Sequence, residues 1–390
     1  MNTFYKLNKF VYSISALSLL CFLLSYTTLQ GQTNRSSLDM RILSTPGLFK
    51  TGGRNIVYYE LMLTNFSNDT IRIQSLHVVT TRDSVLVVSF THENLLKRFA
   101  YIPDVAAGSN DGVMLNPGAS GILYIETEAD KTIGTIHHVL EGAILTKGKQ
   151  SLIRIRDEGW TIDTRAPVVL GAPLRDGPWV AIYDPAWIRG HRRVIYTLDG
   201  KARIPGRFAI DFMLVNDNGR YTKTNEDIVA DWYGYGADVL AVANGVVVTV
   251  QSGFMESKKI SDHPVVPAEK ATGNYITLDI GNNRFAFYEH LKPGSIRVKA
   301  GQKIKKGEVI ASLGFTGQTT GPHLHFHVAN RNSPLGAEGI PFVFESFNLL
   351  GVYHDLGKMG QQRWDDIDNE NTQKVILERP EPNAVIQFSK

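Results

Sequence analysis

The chain has 390 residues, 43% of them hydrophobic and 20% charged, which is the composition of a folded globular protein rather than a disordered one. Lys and Arg number 41 against 38 Asp and Glu, for a formal net charge of +3, so the sequence lacks the strongly basic signature of a nucleic-acid binder. A chain this long is expected to hold two or three domains.

At the N-terminus, Lys6 and Lys9 precede an uncharged apolar run over residues 11–26, followed by a small and polar stretch over 27–32. That layout reads as a secretory signal peptide spanning residues 1–31, cleaved near Gly31. The run is shorter than the ~20 residues a spanning helix needs; if it is not cleaved, it leaves the protein membrane-anchored. Cys21 is the only cysteine and lies inside the apolar run, without the small residues expected before a lipidated cysteine. The mature chain then has neither disulfides nor thiolate zinc ligands, and any metal must be held by His and carboxylate.

Residues 39–165 read as an Ig-like β-sandwich. Strand candidates at 57–65, 71–80, 84–90 and 121–127 alternate in hydrophobicity between polar turns, with no helical pattern between them. His137 and His138 are adjacent, so on a strand they face opposite sides and do not share a metal. A stretch containing Pro and Gly, residues 166–178, reads as a linker.

The second domain, 179–350, also reads as strands, at 207–215, 238–251, 274–280, 284–290 and 323–329. Two polar inserts interrupt it, at 216–235 and 256–271, and long loops in a compact domain are often binding walls. Residues 351–390 read as a polar tail with one short strand at 374–377. The expected fold is therefore all-β throughout.

The chemistry concentrates in His323, His325 and His327. In an extended strand these three imidazoles project from one face, and neutral imidazole is the commonest protein ligand for zinc. The surrounding run, Gly317-Gln318-Thr319-Thr320-Gly321-Pro322-His323-Leu324-His325-Phe326, resembles the signature of the lysostaphin-type, or LytM-like, zinc metallopeptidases, a peptidoglycan endopeptidase family. Further stretches resemble that family in the same order. They are Ala241-Val242-Ala243-Asn244-Gly245-Val246-Val247, Gly273-Asn274-Tyr275-Ile276, Tyr288-Glu289-His290-Leu291, and the Val- and Gly-spaced residues 298–314. The Lys-Lys-Gly turn in the last of these also occurs in biotinyl and lipoyl carrier hairpins, a reading that leaves His-Leu-His unexplained.

The resemblance implies a LytM-like antiparallel sheet, Zn2+ as cofactor, and peptidoglycan or another peptide as substrate. It implies Asp211 and His325 as metal ligands, with His290 and His323 as catalytic histidines beside them. His327 stands where the family usually has Glu or another polar residue, and is expected to lie behind the ligands or exposed to solvent rather than to bind the metal directly. The family's first metal motif is His-x-x-x-Asp, but four residues before Asp211 stands Arg207, whose guanidinium has no lone pair to offer. Three explanations are open: His191 supplies the missing ligand, the site binds metal weakly or takes a carboxylate from an insert, or the domain has lost catalysis and keeps only a binding groove. The expected function is thus an exported zinc metalloendopeptidase. The alternative is a catalytically impaired LytM-like protein that binds or regulates the cell wall.

Overall fold

The computed structural model describes residues 37–102, 112–367 and 372–388, so the expected signal peptide and Cys21 lie outside the described residues. Asp39–Lys390 form one unit, and the architecture is all-β, as the alternation of the sequence predicts. No helix among the described residues is long and apolar enough to cross a membrane.

The N-terminal part is a sandwich of a five-stranded and a six-stranded sheet. In the first, Arg54–Asn65 pairs antiparallel with Ser120–Glu128; in the second, Thr70–Thr80 pairs with Thr135–Thr146, which in turn pairs with Lys149–Arg156. Leu61, Leu76, Leu123 and Leu140 are fully buried. A helix at His92–Arg98, absent from the sequence reading, closes one side. It is only two turns long and buries Leu95 alone, so it leaves no apolar periodicity to detect.

Arg54–Asn65 departs from a simple half-exposed strand because both of its faces are covered. Tyr59 and Leu61 turn toward the other sheet of the sandwich, where the Tyr59 hydroxyl meets His138 Nε2 at 2.8 Å. Tyr58 and Glu60 face the opposite way, as period-two alternation requires. Tyr58 stacks on Phe208 at 4.6 Å between ring centroids, joining the sandwich to the C-terminal sheet through a shared apolar core.

That C-terminal sheet has twelve strands. Its centre runs Ala384–Gln387, Trp179–Ile182, Ile210–Leu214, Leu324–Ala329, Phe285–Glu289, Tyr275–Asp279 and Gly245–Gln251 in spatial order. Residues 238–251, read as one strand, divide into Asp238–Leu240 and Gly245–Gln251, which belong to different sheets.

Two segments read as connectors are structural. The expected linker contributes Val168–Leu170, paired parallel with Phe342–Phe344. The expected polar tail contributes Gln373–Glu378 and also Ala384–Gln387, which is inserted between Phe342–Val352 and Trp179–Ile182. Ala384, Val385 and Ile386 are completely buried, but a run this short inside a polar segment is too brief to signal a strand.

Candidate metal centre

Three neighbouring strands set one wall of the site. Asp211 on Ile210–Leu214 lies in register with His325 on Leu324–Ala329, and His325 lies in register with Glu289 on Phe285–Glu289. A carboxylate, an imidazole and a second carboxylate therefore stand side by side on one rung of the sheet face. His323 and His327 share that face, one rung to either side of His325.

His191 arrives from outside the sheet, on the single 3-10 turn His191–Arg193. This turn packs against a second one, Pro205–Phe208, and a Cβ at Gly206 would lie 3.2 Å from the His191 Cβ. The absence of a side chain at 206 lets the two turns approach closely enough for His191 to reach the sheet.

The imidazoles converge on Asp211. His325 Nδ1 is 2.9 Å from Asp211 Oδ1, His323 Nε2 is 3.4 Å from the same oxygen, and His191 Nε2 is 3.3 Å from Oδ2. One ligand atom each from His191, Asp211 and His325 can be chosen so that all lie within 4.8 Å of one another. Two imidazole nitrogens and a carboxylate oxygen, with no thiolate, are a donor set that suits zinc.

The electrostatics put Asp211 and His191, though not His325, in the protonation state a metal needs. Burial alone would raise the Asp211 carboxyl, but His323, His191 and the hydrogen-bonding imidazoles hold it well below the usual carboxylate range. Burial lowers the pKa of His191, and His325 and His323 lower it further, so the ring is neutral at physiological pH. His325 is the opposite case: burial lowers its pKa, but Glu289 and Asp211 together raise it above its ordinary value.

The flanking histidines are fixed through their other nitrogens. His290 Nδ1 lies 2.8 Å from the Thr316 carbonyl, and His323 Nδ1 lies 2.8 Å from the Gly321 carbonyl. Carbonyls only accept, so in each ring Nδ1 carries a proton; this leaves Nε2 of His290 as an acceptor, while Nε2 of His323 faces Asp211 Oδ1 at 3.4 Å. The two rings pack edge-to-face at 4.8 Å. His290 also holds a left-handed backbone, with φ of 62°, rare for a residue with a β-carbon. Its backbone N–H donates to the Thr272 carbonyl at 3.0 Å, which secures the strained conformation.

The sequence assigns no role to Glu289 and leaves His327 either behind the ligands or exposed to solvent; His327 is in fact buried, because it packs against a neighbouring strand. His325 Nε2 is 3.2 Å from His327 Nδ1, and His327 stacks on Phe287 with ring planes 5° apart. When His325 uses Nδ1 toward a metal its Nε2 carries the proton, and His327 Nδ1 is placed to accept it. Glu289 and His327 also form a second group of possible donors with His325. Burial raises the Glu289 pKa, so this carboxyl holds its proton more readily than a free one. The signal for Glu289 was its place in the Tyr-Glu-His-Leu motif, next to a candidate catalytic histidine.

Arg207 is not near the metal donors. Its guanidinium is buried, bonded to Glu60 Oε2 at 2.7 Å and to Glu338 Oε2 at 2.8 Å. In front of the histidines lies a cavity of about 270 Å³, lined by Arg189, Tyr196, Thr272, Gln318 and Leu335 among others. The insert 216–235 does not line it. That insert instead supports the wall from behind, with Trp232 packed so tightly on Gly321 that a Cβ there would meet its ring at 2.4 Å.

The family profile described as Peptidase family M23 matches residues 228–336. The peptidoglycan DD-endopeptidase ShyB of Vibrio cholerae is 37% identical over 102 residues, covering 26% of this chain and 20% of the relative. ShyA of the same organism, also named a peptidoglycan DD-endopeptidase, is 35% identical over 102 residues with the same coverage. The match thus spans about a fifth of the length of these relatives. Among solved structures, the catalytic domain of the antimicrobial peptidase lysostaphin from Staphylococcus simulans aligns at 22% identity, with a TM-score of 0.23. That alignment covers 43% of this chain and 88% of lysostaphin's domain.

Proposed function

We propose, from the premise that residues 228–336 are a peptidase family M23 domain, that the chain is an exported zinc metalloendopeptidase acting on peptidoglycan peptides. The observation that carries this reading is the convergence of His191, Asp211 and His325, with donor atoms all within 4.8 Å of one another. Three protein ligands that leave a further position open are the pattern of catalytic rather than structural zinc. Bound there, Zn2+ would supply Lewis acidity toward water and toward a scissile carbonyl.

The chain's own residues do the rest. His290, with Nδ1–H committed to Thr316, presents Nε2 as a proton acceptor. Burial, with His323 and His325 nearby, lowers its pKa and keeps it neutral for that task. His323 presents Nε2 on the Asp211 side of the same wall, where its protonated form supports negative charge on the carbonyl oxygen. His327 orients His325 by accepting its Nε2 proton. The names of the two Vibrio relatives support peptidoglycan as the substrate class. That polymer lies outside the cytoplasmic membrane, in keeping with the leader-like composition of residues 1–31.

Metal analysis of the purified protein, beside a muropeptide digestion, tests the proposal. Near-stoichiometric zinc, with cleavage abolished by a chelator, is the expected result. Absence of zinc with retained binding to wall sacculi would replace it with the non-enzymatic wall-binding reading. A His191→Ala protein that keeps full zinc occupancy and activity would remove His191 from the ligand set.

A further inference from the structure

We infer that Glu60, a residue of the N-terminal sandwich, is a positioning residue for the metal centre, holding His191 in reach of Asp211 and His325. The inference rests on the reading of His191 as a ligand.

The geometry is specific. Glu60 is completely buried and uses its two oxygens on two different segments of the C-terminal part: Oε1 accepts from Arg192 Nε and Oε2 from Arg207 Nε, each at 2.7 Å. Arg192 is the residue directly after His191, on the same 3-10 turn. Arg207 sits on the neighbouring turn, four residues before Asp211 on the same stretch of chain. One carboxylate therefore ties the segment that delivers His191 to the segment that leads into Asp211.

Everything around this junction restricts it further. Arg192 Nη2 donates to the Tyr59 and Ile125 carbonyls at 2.7 Å each, and its guanidinium lies 4.6 Å from the Tyr58 ring. Arg207 Nη1 is bonded to Glu338 at 2.8 Å. The guanidinium forks fix direction as well as distance, which a flexible ammonium would not. Buried ion pairs contribute little net stability relative to apolar packing, and their better-attested use is to select one arrangement over others. Here the selected arrangement is the one that completes the donor set. His191, about a third exposed and on a lone turn, has no strand ladder of its own to hold it.

This also accounts for Arg207 standing where the family pattern has a histidine. On this reading His191 reaches the site from a separate segment, and Arg207 helps to anchor that segment through Glu60.

The test is a double-mutant cycle on zinc affinity, measured on the full chain by competition with a chromogenic chelator. Glu60→Gln is expected to weaken zinc binding about 10- to 100-fold, the usual effect of removing a support behind a metal ligand. His191→Ala is expected to weaken it at least as much, and adding Glu60→Gln to His191→Ala should produce no further loss. Wild-type affinity in Glu60→Gln, or an undiminished loss on the His191→Ala background, would overturn the inference while leaving His191 as a ligand. Wild-type affinity in His191→Ala would overturn both. If Glu60→Gln does not fold, Arg192→Lys, which keeps the charge but loses the fork, takes its place in the same cycle. Weaker zinc binding that vanishes as a separate effect on the His191→Ala background then supports the inference, and wild-type affinity overturns it.

Discussion

Two carboxylates in this protein are ringed by imidazole and sit out of bulk water, yet they are built for opposite ends. In the sandwich, Asp157 accepts from His138 Nδ1 at 2.6 Å, from the His138 backbone N–H at 2.9 Å and from Trp160 Nε1 at 2.9 Å. His138 spends its remaining nitrogen on the Tyr59 hydroxyl, and its side chain is fully buried. Each of these polar atoms is partnered within the cluster. In the C-terminal sheet, Asp211 meets three imidazoles, two of them competing for one oxygen, beside a cavity of about 270 Å³. A closed cluster satisfies itself, whereas an open one keeps lone pairs pointed at a common space. Composition alone does not distinguish the two; the count of partners against the count of donors does.

Substitutions at matching positions should separate the clusters. Asp211→Asn removes the charge of a proposed ligand from the open cluster, and we expect zinc content to fall to background with peptide hydrolysis down roughly 10³-fold or more. The fold should survive, which metal analysis and circular dichroism would establish together. His138→Ala in the closed cluster should do the reverse. It strands the Tyr59 hydroxyl and part of Asp157, at a cost of roughly 2–3 kcal/mol in denaturant unfolding, with zinc stoichiometry unchanged. Loss of zinc in that variant would mean the clusters are not independent.

His327→Ala tests the boundary of the open cluster. Losing the acceptor for His325 Nε2 is expected to weaken zinc binding by about tenfold without emptying the site at saturating metal. An unchanged affinity would reduce His327 to a packing role against Phe287.

The smallest effect is a difference in pH response. The His325 pKa is raised above the ordinary ~6.5, so zinc affinity should decline as pH falls through that raised value, where protons compete for the ligand. The Asp157 carboxyl instead has a depressed pKa: burial acts to raise it, but the hydrogen bond and charge of His138 prevail. Its stabilising contribution is present above the unfolded carboxylate pKa of ~3.9 and is lost only as pH falls through the lower folded value. Zinc titrations and unfolding curves across pH 3–8 should therefore show metal affinity lost well before the contribution of the closed cluster. Coincident loss would break the distinction.

What could be read in the sequence was whatever is local. The His-Leu-His alternation and the order of the motifs placed Asp211, His290, His323 and His325 on strands, and the strands at 274–280, 284–290 and 323–329 lie within a residue or so of those observed. His191 was one of three explanations for a missing ligand, and the structure brings it to 3.3 Å from Asp211. What could not be read depends on neighbours far along the chain. Glu60 and Arg207 are 147 residues apart, and nothing near either one announces the other. A glutamate between Tyr59 and Leu61 looks like the solvent face of an edge strand until a second layer covers it. The strand Ala384–Gln387 escaped for a related reason: four residues flanked by polar sequence acquire meaning only from the two strands that receive them.

That last strand has a consequence for the order of assembly. A ribosome delivers residues 384–387 after every other strand among the described residues, yet they fill an interior lane of the sheet, one strand removed from the lane that carries Asp211. Until they arrive, Trp179–Ile182 presents a bare edge and the sheet is split close to the candidate metal centre. The sheet thus cannot close until residues 384–387 have emerged.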